Sequence, residues 1–586
     1  MKSVKQFLYL LPPVFKKRLT ILLILLFFGM LFEMMGLGML VPALSLIIEN
    51  DIPNKYPGLH SFLNTLGVTD QRDLIFFGFS LLTIVYFVKT IVLGYLYYKQ
   101  SKFNADLSAE FSHILFKGYL NQPYYFHLQR NSSQLLKNIQ GEVIQLNGVL
   151  QAFGALLLEV AMILGIFIVL IIIEPFAAMS VTIVLVLTSY LFHLFSKTKI
   201  LNWGKARQFH DGKINQHLMQ GLGGVKDVLM MGKEKYFINK FREHNKERAK
   251  SLTKIVTIGL MPRLYLEFLS VFGLSGVIIV MIAQGKAIEG MIPVIAVFVA
   301  AAFRLIPSAN RIVTSVQAFR FAVPVLELFY NEFRIIKDHG NSPNFTKSKL
   351  IFNNELKLIN VDYRFPNSKS NSLKDITFTI KRGESIGFVG PSGSGKSTLL
   401  DIILGLLHPI NGEITVDGIN IKSNLRGWQD QIGYIPQSIY LTDDTICRNV
   451  AFGVSDEDIN IDKVIISLRA AQLYEFVEKL PNKLDTFVGE RGVRMSGGQR
   501  QRIGIARALY HDPQILVLDE ATSALDNKTE KQVMEALNAL QGIKTLVIVA
   551  HRVSTIEQCD RIFELKNGQI ISVKENYLNQ NLNQVR

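Results

Sequence analysis

Cysteine is nearly absent. Two in 586 residues, Cys447 and Cys559, are too few for a disulfide framework and supply no zinc site by themselves. Charge is sparse as well. Asp, Glu, Lys and Arg make up 19% of the chain and apolar residues 49%, which excludes intrinsic disorder. Acid is short relative to base: 48 acidic residues stand against 63 basic ones, a net charge of +15. A soluble basic protein, such as a nucleic-acid binder, is polar on average. Here basicity and hydrophobicity go together, which points to membrane segments with basic flanks and away from nucleic acid. The length corresponds to about three or four domains of about 150 residues each.

The charge is unevenly spread. Residues 1–340 hold 34 Lys and Arg against 20 Asp and Glu, a net of +14; residues 341–586 hold 29 against 28, a net of +1. The first part reads as membrane-embedded and the second as soluble. A helix needs about 20 apolar residues to cross a bilayer, and six segments qualify: Ile21–Ile48, Leu74–Tyr98, Val149–Ile173, Phe176–Phe195, Pro262–Ala283 and Met291–Thr314. The first is too long for the apolar core of a cleaved signal peptide, and no small-residue cleavage site follows it. Lys16, Lys17 and Arg18 precede it, so the N-terminus is expected on the cytoplasmic side. Alternation then places segments 99–148 and 196–261 inside, the latter dense in Lys and Arg. Segment 49–73, acidic on balance, falls outside. Six spans return the chain to the cytoplasm, where nucleotide is available and thiols stay reduced.

Both inner segments read as helices continuing from their spans. Each carries a break, at Asn121-Gln122-Pro123 and at Gly221-Leu222-Gly223-Gly224. Helical hairpins ending in short cross-helices fit that pattern.

In the soluble part an apolar strand, Glu384–Val389, runs into Gly390-Pro391-Ser392-Gly393-Ser394-Gly395-Lys396-Ser397-Thr398, with an apolar helix after it. This is G-x-x-x-x-G-K-S in its strand–loop–helix setting. Glycines let backbone N–H groups approach phosphate oxygens, and the helix N-terminus favours negative charge at the same place. Lys396 would reach the β- and γ-phosphates of ATP, and Ser397 would ligate Mg²⁺. A second apolar run, Ile515–Leu518, reads as a buried parallel strand ending in Asp519-Glu520. Asp519 suits Mg²⁺ held through water. Glu520 suits a base that orients and deprotonates the attacking water.

With these motifs in place the chain resembles the ATP-binding cassette (ABC) transporters of exporter type. The implied fold is an α-helical membrane domain of six transmembrane helices (residues 1–322), a linker (323–350) and an α/β P-loop nucleotide-binding domain (351–586). Met495-Ser496-Gly497-Gly498-Gln499 stands where the family has its signature, usually begun by Leu; Ser496, Gly498 and Gln499 would contact nucleotide. Gln437, after Tyr434-Ile435-Pro436, resembles the Q-loop glutamine and implies a Mg²⁺ contact. Thr486–Gly492 resembles the X-loop, Ser523-Ala524-Leu525-Asp526 the D-loop, and His551 the switch histidine that senses the γ-phosphate. The family's adenine-stacking tyrosine is replaced by Phe365, with Tyr363 the alternative. One phosphate loop and one signature per chain imply half a transporter. A homodimer with two complete ATP sites is expected, and a heterodimer is the alternative.

Cargo has to be read from the spans. Ionisable residues there are functional candidates by default: Glu33, Lys89, Glu159, Arg263, Glu267, Arg304 and Arg311. Arg263 and Glu267 are spaced to pair on one helical face, and Arg304 and Arg311 share another. Arginine binds phosphate bidentately and stays charged, which suits a phosphorylated lipid headgroup. The stretches Pro262–Glu267 and Arg304–Ser315, and an amphipathic set Leu59, Phe62, Leu63 and Leu66 in the outer loop, resemble PglK-like lipid-linked oligosaccharide flippases. The resemblance implies an ATP-driven flippase of the bacterial inner membrane, with Arg263, Arg304 and Arg311 on the pyrophosphate of a polyprenyl-linked glycan. The alternatives are a multidrug or lipid exporter of the same architecture and a non-pumping ABC-type membrane regulator. The latter does not need Glu520 and His551.

Overall fold

The computed structural model describes residues 9–48, 71–173, 175–283, 288–338, 350–366, 368–521, 527–550 and 556–575. The amphipathic set at Leu59–Leu66, the D-loop match at Ser523–Asp526 and His551 lie outside the described residues, as do the side chains of Glu33 and Arg304. The chain forms two units. One comprises Met1–Gln122 and Gln129–Gly340; the other comprises Pro123–Leu128 and Asn341–Arg586.

The first unit is helical. Its six long helices are Pro13–Ile48, Gln71–Leu120, Val143–Ile173, Pro175–Gly223, Glu234–Ala283 and Ile288–Phe321, and each expected apolar segment falls inside one of them. The shortest has 31 residues. At about 1.5 Å per residue, even that one exceeds the ~30 Å hydrocarbon core. Large apolar side chains face outward: Phe76 is 74% exposed, Phe87 67% and Phe268 70%. That is the polarity a lipid-facing surface requires. In the extension beyond the second span the pattern reverses. Leu107, Phe111 and Leu115, four residues apart, are fully buried. They share one helical face, and the Phe111 ring packs edge-on against Phe333 of a further helix, Val323–Asp338, at 5.5 Å between centroids.

The short helices form where the breaks stand. Pro123 lacks an N–H and ends the second long helix, after which Tyr124–Gln129 forms a separate turn and a half. Gly224 interrupts the fourth helix before Val225–Met230. A π-helical turn, Asn138–Glu142, precedes the third long helix. Its wider winding brings Lys137 and Glu142, five apart, to 3.0 Å. Fully buried Glu142 also meets Arg207 at 2.9 Å, so two cations compensate one buried carboxylate.

The second unit holds two sheets. β1 (Glu355–Tyr363), β2 (Leu373–Lys381), β4 (Asn411–Val416) and β5 (Ile419–Asn420) make an antiparallel sheet of order β2-β1-β4-β5. β3 (Ser385–Val389), β6 (Ile432–Ile435), β7 (Ile515–Asp519), β8 (Thr545–Val549), β9 (Arg561–Lys566) and β10 (Gln569–Glu575) form the other, ordered β10-β9-β3-β8-β7-β6. It is parallel except for the edge strand β10. The unbroken apolar runs follow from burial on both faces. Ile515, Val517, Val547 and Val549 pack with Leu399, Leu400 and Ile403 of the helix Lys396–Ile403. Their alternates Leu516, Leu518, Leu546 and Ile548 pack with Ile503 and Ala506 of the helix Gly497–Leu509.

Candidate nucleotide site and membrane arginines

The phosphate loop leaves the C-terminal end of β3 beside β8 and β9. Three of its glycines hold left-handed backbone, Gly390 at φ +148°, Gly393 at +78° and Gly395 at +105°. A Cβ at Gly390 would lie 2.1 Å from the Leu565 carbonyl oxygen, and one at Gly395 2.8 Å from Leu373. Only glycine fits those turns. Lys396 is buried and donates to the carbonyls of Gly390 at 2.7 Å and Pro391 at 3.1 Å. Burial pulls its ammonium below the ordinary lysine range, against Glu520 and Asp519, which raise it. Ser394 Oγ is buried without a hydrogen-bond partner. An open loop of N–H groups, a desolvated ammonium and an orphaned hydroxyl fit a polyphosphate. Pro391, Ser392 and Ser397 stand exposed along the loop, with Thr398 half-buried.

Across the sheet, β7 delivers Asp519 and Glu520. Burial, and then Glu520, push the Asp519 carboxyl above its usual range, while Lys396 opposes them. Glu520 sits at φ +49°, a backbone state that costs a non-glycine residue about 1–3 kcal/mol. Its N–H donates to Val549 O at 3.0 Å, and its Oε2 accepts from Gln437 Nε2 at 2.8 Å. The structure thus joins Gln437, Glu520, Asp519 and Lys396, residues drawn from three separate motifs. Ser397, Gln437 and Asp519 offer hydroxyl, amide and carboxylate oxygens, the hard ligands Mg²⁺ requires.

The signature lies on another element. Ser496 caps the helix Gly497–Leu509 in a reciprocal box: Gln499 N donates to Ser496 Oγ at 3.2 Å, and Ser496 N donates to Gln499 Oε1 at 2.8 Å. Gly497 and Gly498 follow on the first turn, half-exposed. Met495, 6% exposed, is a core residue beside this helix, where Leu would serve equally.

Among the membrane arginines, Arg311 is best defined. Its Nη1 lies 2.5 Å from Oε1 of Glu159, on the third long helix. Glu159 is 1% exposed and the Arg311 side chain 46%. Arg263 pairs with Glu267 one turn on at 2.9 Å, both well exposed. Arg304 lies on the same helix as Arg311.

Residues 19–261 match the ABC transporter transmembrane region, and residues 373–523 match the ABC transporter family. A protein of Cupriavidus pinatubonensis (strain JMP 134 / LMG 1197), named an ATP-dependent lipid A-core flippase, is 31% identical over 465 residues. The match covers 78% of this chain and 77% of that protein. The chain belongs to the ABC transporters. A protein of the same name from Burkholderia pseudomallei (strain 1710b) is 36% identical over 354 residues, 60% of this transporter chain, which spans 58% of that relative's length. The structure of a bacterial Atm1-family ABC exporter with ATP bound shares the fold, at TM-score 0.78 and 21% identity, covering 97% of each chain. The transporter is therefore a multi-pass membrane protein with an exporter-type helical domain ahead of its cassette.

The two candidates for adenine stacking differ in burial. Tyr363 is 5% exposed within the cassette core. Phe365 packs at its edge, half-exposed, 5.0 Å ring to ring and nearly perpendicular. Phe365→Ala is expected to weaken ATP binding roughly tenfold, as stacking contributes ~1–3 kcal/mol, with little change in melting. Tyr363→Ala is expected to lower the melting temperature, since emptying an aromatic core site costs about 3–5 kcal/mol. Isothermal titration and thermal melting of both variants separate the two roles, and the opposite pattern would contradict the assignment.

Sequence reasoning missed Asp401, five residues beyond Lys396. Burial, then Asp519, push its carboxyl up to about 6. No sequence signal marks it, because its environment comes from β7. The charged form is the penalised one, so its destabilising effect is absent below the ordinary aspartate value near ~4 and complete above about 6. Asp401→Asn is therefore expected to raise the cassette's melting temperature more at pH 7.5 than at pH 5. Equal gains at both would contradict this.

Proposed function

We propose that the protein is an ATP-driven flippase that moves a polyprenyl-pyrophosphate-linked oligosaccharide from the cytoplasmic to the outer leaflet of a bacterial inner membrane. The observation that carries the engine is the convergence of Lys396, Asp519, Glu520 and Gln437 beyond the C-terminal ends of β3, β7 and β6 in one sheet. Lys396, freed from the Gly390 and Pro391 carbonyls, binds phosphate together with the loop N–H groups of residues 390–398. Ser397, Asp519 and Gln437 hold Mg²⁺, which offsets phosphate charge when bound. Glu520 takes the proton of the attacking water, and Phe365 stacks on adenine. His551 is assigned the γ-phosphate by its motif.

The helix behind the phosphate loop packs on one face of the six-stranded sheet, and the signature helix packs on the other. One chain's phosphate loop thus needs a signature from elsewhere. The partner is a second copy, which gives two complete sites in a homodimer. Basic residues ahead of the first span support cytoplasmic N- and C-termini.

For cargo, the half-exposed Arg311 with the exposed Arg263 supports an anionic headgroup, and Arg304 shares the Arg311 helix. A second reading, transport of a different lipid, is favoured by the relatives named lipid A-core flippases. ATPase activity in nanodiscs, measured with each lipid, separates them. Stimulation by the polyprenyl-pyrophosphate glycan supports the first reading. Stimulation by lipid A-core alone replaces it with the second.

A further inference from the structure

The long helices Pro175–Gly223 and Ile288–Phe321 come together beyond their spans, where a Cβ at Gly204 would lie 2.3 Å from the Phe321 carbonyl oxygen. The half-buried side chain of Arg320 reaches from one helix to His193 on the other, and its Nη2 donates to His193 Nε2. Arginine has no acceptor atom, so that ring nitrogen holds the lone pair and the imidazole is neutral. Arg320 Nη1 is shielded from solvent and has no hydrogen-bond partner. No carboxylate among the described residues acts on this guanidinium. Lys197, exposed one turn beyond His193, stands within electrostatic reach of that ring and adds a second positive charge. The contrast with Arg311 and Arg263 is plain, since each of those has a glutamate partner.

Depth and direction point to a lipid headgroup. Arg320 lies six residues past Thr314, the expected end of the sixth span, which is about 9 Å along the helix. Helical side chains lean toward the N-terminus, so the guanidinium reaches back to His193, two residues before the fourth span ends at Phe195. This is the boundary from which the chain runs on to the cassette. Arg320 stands nine residues from Arg311, half a helical turn out of phase, so it is not on the face proposed for cargo. The surface beside it is apolar. Tyr190, His193, Leu194 and Lys197, spaced three and four apart, share one helical face, and Tyr190 and Leu194 are 57% and 50% exposed. A strip that is apolar toward the bilayer interior and cationic at its end suits an anionic lipid.

We propose that Arg320 and Lys197 bind the phosphate of an anionic phospholipid of the surrounding bilayer, whose acyl chains lie along Tyr190 and Leu194. His193 is a positioning residue that holds the Arg320 side chain. A turn of the guanidinium that frees Nη1 for a phosphate oxygen is the rearrangement the site requires. With both cations uncompensated, phosphatidylglycerol is favoured over zwitterionic phosphatidylcholine.

The test is native mass spectrometry of the full-length, detergent-purified protein titrated with each of these two lipids. The wild type is expected to prefer phosphatidylglycerol. R320Q and K197Q should each weaken that binding, and R320Q/K197Q should weaken it at least ~10-fold, with phosphatidylcholine unaffected. R320K keeps the charge and should recover part of the loss. Lys199 lies over the Phe195 ring, two residues from Lys197 and on the opposite side of the helix, so K199Q should bind as the wild type does. Equal binding by wild type and R320Q/K197Q overturns the proposal. An equal loss in K199Q also overturns it, by reducing the effect to general attraction toward a basic surface. Loss in R320Q that appears only as a dimer dissociates would make the strip a contact between copies and overturn it too. Inorganic phosphate tests the other source of the same chemistry. A thermal shift by phosphate that needs Arg320, without preference for phosphatidylglycerol, would make this a free-anion site and overturn the lipid assignment.

Discussion

Glu520→Gln will stop steady-state ATP hydrolysis, by about 10²–10⁴-fold, while ATP still binds. Glu520 is held through both its backbone and its side chain. Its backbone N–H is tied to Val549 O, and its Oε2 accepts the Gln437 amide. Glutamine keeps the size and an acceptor oxygen for Gln437, so the loop geometry survives and only basicity is lost. The variant is expected to retain nucleotide in a closed cassette dimer, detected as ATP that co-elutes with a dimer on size exclusion. Hydrolysis near the wild-type rate would remove Glu520 from the role of base. The left-handed backbone at this position points the same way: strain held at a strand end by neighbouring hydrogen bonds is a common property of functional sites.

Arg311→Met will have two effects that a second substitution separates. Glu159 is buried, and removing its partner leaves an uncompensated carboxylate. Breaking such a pair costs about 3–5 kcal/mol, so the single variant should melt at clearly lower temperature. In Glu159→Gln/Arg311→Met both charges are gone, and the melting temperature should recover most of that loss. If Arg311 binds the pyrophosphate, lipid translocation stays low in the stable double variant. Wild-type translocation there would make Arg311 a counter-ion for Glu159 and nothing more.

What the sequence made legible was local or periodic. Residues 390–398 announce themselves because a phosphate loop demands glycine at particular turns, and Gly390 and Gly395 sit against atoms that admit no Cβ. The six spans were legible because hydrocarbon imposes length. Pro123 and Gly224 marked the cross-helices because each interrupts helical hydrogen bonding. Pairings between distant segments were not legible. Glu159 and Arg311, 152 residues apart, are each costly within a span, yet nothing in the sequence joins them. Lys137 and Glu142 are five apart, a spacing that meets on a π-turn and not on an α-helix. Asp401 looks like an ordinary helical acid until β7 sets Asp519 beside it. His193 and Arg320, 127 residues apart, are unrelated until two helices are laid together.

The most direct test of the central claim is translocation in liposomes. Purified protein is reconstituted with a fluorescent polyprenyl-pyrophosphate oligosaccharide, and its access to an external quencher or glycosidase is followed after ATP and Mg²⁺ are added. ATP-dependent movement by the wild type, abolished in Glu520→Gln, is the predicted result. No movement of that lipid by protein that hydrolyses ATP would contradict the cargo assignment. Movement that continues in Glu520→Gln would contradict the coupling to ATP.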